Sequence, residues 1–325
     1  MATTKNTRLF LGLTGGVLAL GVAAGLAVSY GRPGARGPVG TLTSDLRYLP
    51  ADAGLVASVN VRALHQSPLH RAWASRHHSD RHSDAPLMRL GLRLETEVEA
   101  LLVASAAVSG AGLRPDALVL VRGPVDTGRL QVRLAAQGGH VSDYKGIRVI
   151  RFGGGELAPL TVALLSPGLL AVGRSDTVTL SIDGVDGVNL TSNESLMRAI
   201  GGVADGDVWA VGRVDAATSD RRFASLPPLT WFAATARLSQ GLEGSIRAEA
   251  REQKGADNIR DLLQGLVALA RVQTERRPEL AAAVNSLQLT MQGTVVTLSF
   301  AVPSGDLPAL MPVQPDGTGP SEPRP

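Results

Sequence analysis

The stretch "SLQLTMQGTVVTLSFAV", Ser286–Val302, decides the fold class because apolar and polar residues alternate on both sides of one glycine. Alternation with a period of two places every second side chain on the same face of a strand. The apolar positions on either side of Gly293 are Leu287, Leu289, Met291, Val296, Leu298, Phe300 and Val302. The sequence therefore predicts a β-hairpin with one buried face, as in an antiparallel sheet.

Helices and strands alternate upstream of this hairpin. Apolar residues between Ile259 and Ala270 follow helical spacing, and Pro278 suits the first turn of a short helix that runs through Val284. Before them, "LTWFAATARLSQGLEGSIRAEAR" contains two strand-like runs about a predicted Gly241–Gly244 turn, and Asp207–Val214 reads as another strand. The second half of the chain is thus predicted as strands in hairpins with helices between them.

The first half has a similar order of predicted elements. The predicted strands are Leu55–Val61, "VEALLVASAAV", "DALVLVRG", "GIRVIRF", "LTVALLS" and "LLAVGR", and the predicted helices are "ALHQSPLHRAWAS", "DTGRLQVRLAAQ" and one helical turn in "SDTVTLSIDG". We predict an α+β fold of antiparallel sheets covered by helices. The repeated order suggests two duplicated β-α-β-β-α-β-β units, residues 44–204 and 205–302.

The N-terminal region predicts a membrane anchor. Leu9–Tyr30 is a run of 22 residues without a charge, and as a helix it would span about 33 Å, enough for the hydrocarbon core of a bilayer. Lys5 and Arg8 precede it, which favours a cytoplasmic tail of residues 1–8 and an exported body. We therefore expect an uncleaved signal anchor in a bacterial inner membrane. Cleavage is the alternative, because Gly25 and Ala27 have the small side chains that a signal peptidase reads.

Two segments flanking the body lack apolar periodicity. Residues 31–43 are rich in Gly and Pro and predict a flexible linker. Residues 303–325 contain seven prolines and predict a disordered tail.

Composition excludes several classes of function. All but three of the 32 Lys and Arg residues are arginine, and the net charge is +3. The sequence contains no long run of basic residues, so it does not predict nucleic-acid binding. Aromatic residues make up 3% of the chain, which disfavours carbohydrate and single-strand platforms. The chain has no cysteine, which excludes disulfides, thiolate metal sites, cysteine nucleophiles and lipoprotein acylation.

The segment "YLPADAGLVASVNVRAL", Tyr48–Leu64, carries a resemblance. A Leu-Pro-Ala-Asp turn at Leu49–Asp52 precedes the strand at Leu55–Val61 and an Ala-Leu-led helix, and hairpin-like runs follow at Tyr144–Ile150 and Leu169–Arg174. In these features the chain resembles uncharacterised bacterial membrane-anchored envelope proteins. The resemblance implies an extracytoplasmic α+β domain and brings no catalytic residue with it. As partners we expect the membrane, through Leu9–Tyr30, and other envelope proteins.

One segment has side chains of the kind that bind metals. In "RHHSDRHSD" a helix would present His78 and His82 on one side, with Asp80 and Asp84 one face over, and His65, His70 and His77 lie nearby in sequence. Four surrounding arginines would repel a divalent cation. The segment also has too few apolar neighbours to hold metal ligands rigidly in place. We therefore predict a solvated polar loop, with no metal or other cofactor, and keep the metal site as the alternative.

Familiar catalytic and ligand-binding motifs are absent from the sequence. There is no Gly-x-Ser-x-Gly elbow, His-Glu-x-x-His pair or Walker loop. "DGVDGVN", Asp183–Asn189, has oxygen ligands without the spacing of a calcium loop, and "GGG", Gly153–Gly155, is better explained by a hairpin turn than by a phosphate cradle. We predict no catalytic residue.

Three functions remain open at this point. The first is a non-enzymatic binding or scaffolding domain tethered to the membrane through Leu9–Tyr30. The second is a carrier or sensor of an apolar ligand such as a lipid, with a cavity beneath the predicted helices of Asp257–Val284. The third is a metal-dependent hydrolase that uses the His-rich segment. We expect the first.

Overall fold

A computed structural model describes residues 42–76, 86–106, 116–155, 157, 159–213 and 229–310. Over these residues the fold is α+β, with a single antiparallel sheet and helices packed on it. The twelve strands of the described chain are β1 Leu55–Asn60, β2 Ala100–Ser105, β3 Leu118–Arg122, β4 His140–Tyr144, β5 Ile147–Arg151, β6 Thr161–Ser166, β7 Leu169–Gly173, β8 Val208–Arg213, β9 Leu229–Arg237, β10 Gly241–Ala250, β11 Gln288–Gln292 and β12 Val295–Pro303.

The helices of the same residue ranges connect and cover the strands. The α-helices are α1 Leu42–Asp45, α2 Val61–Gln66, α3 Pro68–Arg76, α4 Pro86–Arg89, α5 Leu94–Glu97, α6 Thr127–Ala136, α7 Ser175–Gly184, α8 Glu194–Gly201, α9 Gln253–Thr274, α10 Ala281–Asn285 and α11 Leu307–Leu310. Short 3-10 helices lie at Leu46–Tyr48, Leu190–Ser192 and Pro278–Leu280.

The strand order is β11-β12-β10-β9-β8-β1-β2-β3-β7-β6-β5-β4. At the centre, β1 pairs antiparallel with β8, with Ser58 opposite Trp209. This pair joins the first and second halves of the chain, so the two predicted units share one sheet. The edge strands of the described sheet are β11 and β4.

The predicted C-terminal hairpin is confirmed. β11 and β12 pair antiparallel, with Leu289 opposite Leu298 and Gln292 opposite Val295. Gly293 has a φ of 54° and is the first residue of the two-residue turn. A type II′ hairpin turn requires a positive φ at this position, and glycine adopts it without steric cost.

The central strands bury apolar side chains on both faces of the sheet. We call the front face the one that carries Val59 and Val121, which belong to one core cluster with side chains of α2 and α6. The back face carries Val56 and Leu120, which pack with side chains of α7 and α8. The central strands therefore lie between two layers of helix.

At the β10–β11 end, helix α9 covers the front face. Ala256 and Ile259 of α9 form a cluster with Leu229, Ala250 and Val296 of the sheet. The helical spacing predicted between Ile259 and Ala270 is confirmed, within a helix that begins earlier, at Gln253.

Two predicted elements differ from the structure. The helix predicted in "ALHQSPLHRAWAS" is two helices, α2 and α3, separated at Ser67. The predicted turn at Gly241–Gly244 is wrong, because β10 begins at Gly241 and contains Gly244. A Cβ on Gly244 would lie 2.2 Å from the backbone oxygen of Thr235, so this glycine allows close approach to β9.

The back face has one helix that is longer than predicted and one that was not predicted. Ser175–Gly184 forms a ten-residue helix, α7, where only one turn was predicted. Helix α8 was not predicted, although Asn193 accepts a hydrogen bond from the backbone N–H of Leu196 as its N-cap. The capping signal lay in "NES", a tripeptide that also matches a glycosylation sequon.

The predicted anchor Leu9–Tyr30, residues 1–8, most of the predicted 31–43 linker, and the tail beyond residue 310 lie outside the described residues. Within the described ranges, no helix has both the length and the apolar character needed to cross a bilayer.

Candidate functional site

Ser67 brings two histidines together at the break between α2 and α3. Its hydroxyl donates to the backbone oxygen of Leu64 at 2.6 Å and accepts from the backbone N–H of His70 at 3.1 Å. Pro68 then begins α3, a position that tolerates the missing N–H. The ring centroids of His65 and His70 are consequently 5.2 Å apart, with the rings tilted by 59°.

The helices that carry the pair are fixed at both ends. Asn60 caps α2 by accepting a hydrogen bond from the backbone N–H of Ala63 at 2.9 Å. In α3, Leu69 and Ala72 pack against a cluster that includes Val302 of β12. The histidine pair is therefore held by the sheet on one side and by the C-terminal part of the chain on the other.

The surroundings of His65 perturb its titration. His65 is 3% exposed, and within the described residues its Nε2 has no hydrogen-bond partner. Burial, and then the nearby His70, lower the pKa of His65 to about 4. His65 is therefore neutral near pH 7, and a buried titratable group of this kind is a candidate functional group.

The structure describes only some of the residues in the predicted metal site. His77, His78, Asp80, His82 and Asp84 lie outside the described residues, so their arrangement remains a prediction. Among the residues that the structure does describe, no three side chains of metal-ligand type come together. The histidine pair thus has two imidazoles without a third described ligand.

The oxygen-rich "DGVDGVN" segment forms local structure. The carboxylate of Asp183 accepts from the hydroxyl of Tyr144 at 3.0 Å and pairs with Lys145 at 2.6 Å. Asn189 donates to the backbone oxygen of Gly184 at 2.8 Å and accepts from the backbone N–H of Thr191 at 3.0 Å. These oxygens and nitrogens hold α7 and the following 3-10 helix, as the turn interpretation predicts.

A second candidate site is the back face of β10, β12 and β11, which we call the open face. Its side chains are exposed or half-buried, and the described helices that contact these strands, α3, α9 and α10, pack with front-face residues such as Leu242, Val296 and Val302. On the back face the segment after α8 covers β9, where the hydroxyl of Thr235 donates to the backbone oxygen of Val203 at 3.1 Å. Arg247 of β10 reaches the same segment, because a Cβ on Gly202 would lie 3.6 Å from a terminal nitrogen of its guanidinium. The open face consists of Glu243, Ser245, Arg247, Glu249, Val295, Thr297, Ser299, Ala301, Gln288, Thr290 and Gln292.

Strand register arranges these side chains in rows. Ser245 lies opposite Ser299, which lies opposite Gln288. In the next row, Thr297 lies between Arg247 and Thr290. The rows form a surface of mainly hydroxyl and amide groups, with a few charges and the apolar Val295 and Ala301, which suits hydrogen bonding to a partner better than it suits catalysis.

The sequence predicted part of the open face. The alternation in "QLTMQ" had already put Gln288, Thr290 and Gln292 on one side of a strand. It could not show that the side would stay uncovered, because covering depends on where α7 and α8 pack. The face of β10 was missed through the wrongly placed turn at Gly241–Gly244.

Comparison with known proteins yields little similarity. No protein-family model matches the chain, and no curated protein matches it. A similar solved structure is "Structure of crystal form I of TP0453", with 10% sequence identity and a TM-score of 0.43, over 81% of this chain and 94% of that chain.

Proposed function

We propose that this chain is a non-enzymatic binding or scaffolding domain, tethered to a membrane through Leu9–Tyr30 and facing away from the cytoplasm. The observation that carries the binding role is the open face, a polar sheet surface without a described cover. Antiparallel sheets tolerate one solvated face. A solvated, largely polar face of three strands beside a covered sheet centre favours contact with another macromolecule.

Packing beneath α9 supports this role over that of an apolar-ligand carrier. The carrier hypothesis requires a cavity between α9 and the strands. At the start of α9 the helix lies directly against the end of β10: a Cβ on Gly255 would lie 3.2 Å from the Cβ of Ala250. Ile259 and Val296 complete the cluster at this contact.

We also propose the internal duplication. It is supported by the strand order, which runs β1-β2-β3-β7-β6 on one side of the central pair and β8-β9-β10-β12-β11 on the other. Helix α6 follows β3 as α9 follows β10. An experimental structure in which these two halves fail to superpose by one rotation about the β1–β8 pair would refute the duplication.

The binding role is tested by photo-crosslinking in cells. A crosslinking amino acid at Glu243 or Arg247 samples the open face, and the matched control is the same amino acid at Val132, which is 71% exposed on α6. We expect one adduct of defined mass from both open-face positions and none from Val132. Identical patterns from all three positions would refute a binding role for the open face.

The tether is tested separately by protease treatment of spheroplasts. We expect a C-terminal tag on the full chain to be digested and a tag before Lys5 to be protected. A full chain that fractionates with the cytosol and resists the protease would refute both the anchor and the extracytoplasmic role.

A further inference from the structure

The two edges of the described sheet differ in charge. Edge strands expose unpaired backbone groups, and proteins commonly protect them with charges, proline or bulges. On β4, Asp143 forms an ion pair with Arg148 at 3.0 Å, and Lys145 follows the strand. β11 has the sequence Gln-Leu-Thr-Met-Gln, with no charge and no proline, and its pairing with β12 has no bulge. Within the described residues, the β11 strand thus lacks these three forms of protection.

The hairpin geometry determines which backbone groups of β11 point outward. A two-residue turn closes on a hydrogen-bonded pair, here Gln292 and Val295, and bonded pairs alternate with non-bonded pairs along the ladder. Thr290 therefore bonds to β12, whereas Leu289 and Met291 direct their N–H and C=O groups to the free edge. Ala301 lies an even number of residues from Val295, so the alternation also directs its backbone N–H toward β11. That N–H donates to the hydroxyl of Ser286, which lies on the β11 side.

The sequence of β11 is complementary to itself when it is reversed. If two copies pair antiparallel about Thr290, Gln288 of one copy lies opposite Gln292 of the other, and Leu289 lies opposite Met291. The apolar pairs fall on the front face, where Leu289 and Met291 already pack against the cluster under α9. The uncharged polar pairs fall on the open face. Strand β4 lacks this property, because the same operation would place Asp143 opposite Val141.

We propose that two copies of this chain associate through β11, antiparallel and about a two-fold axis at Thr290, so that one sheet continues across both chains. Leu289 of each copy exchanges two backbone hydrogen bonds with Met291 of the other. The two Thr290 residues form the central non-bonded pair, in which cross-strand threonines lie close together. A two-fold contact of this kind closes on itself, whereas β11 pairing with β4 would continue into a filament.

The absence of native cysteine permits a direct test in the full chain. In the pair described, the Cα atoms of the two Thr290 residues would lie about 4.5 Å apart, within the range of a disulfide. The matched control is Thr297, directly opposite Thr290 on β12 and on the same face. Its two copies would lie about 14 Å apart, beyond that range.

We expect Thr290→Cys to form a disulfide-linked dimer under mild oxidation in the membrane, and Thr297→Cys to stay monomeric under the same conditions. We also expect the Thr290→Lys variant to sediment as a monomer in detergent while the unmodified chain sediments as a dimer, since two lysines would face each other on the axis. Equal crosslinking at both positions, a monomeric unmodified chain, or a dimer that survives Thr290→Lys would overturn the proposal. The last outcome would instead indicate association elsewhere, for example through the predicted anchor Leu9–Tyr30, in which the glycine pairs Gly12/Gly16 and Gly21/Gly25 would let two helices approach closely.

Discussion

Arg122 of β3 forms a bidentate ion pair with the carboxylate of Asp45, donating from Nε to one oxygen and from a terminal nitrogen to the other. Asp45 is 2% exposed and lies 77 positions earlier in the chain. The paired carboxylate raises the pKa of Arg122, so the guanidinium stays charged. The segment that precedes β1 is thereby fixed to the back face of the sheet by a bidentate ion pair.

Removal of either partner should strongly destabilise the fold. Asp45→Ala leaves the Arg122 charge without its partner, and Arg122→Ala leaves a buried carboxylate. We expect each to lower the free energy of unfolding by about 3–5 kcal/mol. The double variant should cost clearly less than the sum, because neither charge then remains. Urea denaturation of the four proteins measures the coupling, and additive costs would show that the pair contributes little.

Acid should destabilise the protein through His65. Its folded pKa, about 4, lies below the ordinary histidine value of 6.5, so the unfolded chain binds a proton first as the pH falls. The associated stability is complete above pH 6.5 and is lost between there and pH 4. The full loss is about 3 kcal/mol.

The matched variant for this prediction is His65→Leu, which keeps a buried apolar side chain and removes the titration. We expect its unfolding free energy to fall less steeply than that of the unmodified chain between pH 6.5 and 4. Parallel curves for the two proteins would show that His65 does not control the acid sensitivity.

Two buried serines should respond to alanine in opposite directions. Ser181 donates to the backbone oxygen of Tyr48 at 2.7 Å, and Ser181→Ala should cost about 1–2 kcal/mol because that oxygen loses its donor. Within the described residues the hydroxyl of Ser58 has no partner. Ser58→Ala should therefore be neutral or stabilising by about 1 kcal/mol. Thermal unfolding of both variants decides the point, and a destabilising Ser58→Ala would reveal a partner for that hydroxyl.

Glycines should differ in tolerance according to their surroundings. A Cβ on Gly123 would lie 2.1 Å from the backbone oxygen of Glu97, so Gly123→Ala must displace the backbone before β2. We expect a loss of about 1–3 kcal/mol or more. Gly154→Ala is the control, because nothing lies within 4 Å of its added Cβ. Chemical denaturation that found equal costs would contradict the close approach at Gly123.

Local sequence patterns predicted the elements of the sheet better than its assembly. The hairpin at Gly293, the helix around Ile259 and the strand from Leu55 each depend on side-chain periodicity within a few residues, which a sequence displays directly. The pairing of β1 with β8 depends on residues far apart in the chain, and nothing local specifies it.

The candidate sites were predicted less well, for a physical reason. His65 and His70 were noted as possible metal ligands, but their burial follows from the helix break at Ser67, a capping effect hidden inside an apparently continuous helical pattern. The open face depends on which strands the helices leave uncovered. That is a tertiary property, so alternation predicted its β11 row without predicting its exposure.

The central position of β1 and β8 also bears on how this chain folds. During synthesis, strands β1 to β7 are complete before β8 exists, and one edge of β1 stays without its neighbour until then. Pairing residues so distant in sequence raises the contact order and slows folding, while the waiting edge is open to aggregation. Truncation after β7 should therefore yield an aggregation-prone fragment instead of a smaller stable domain.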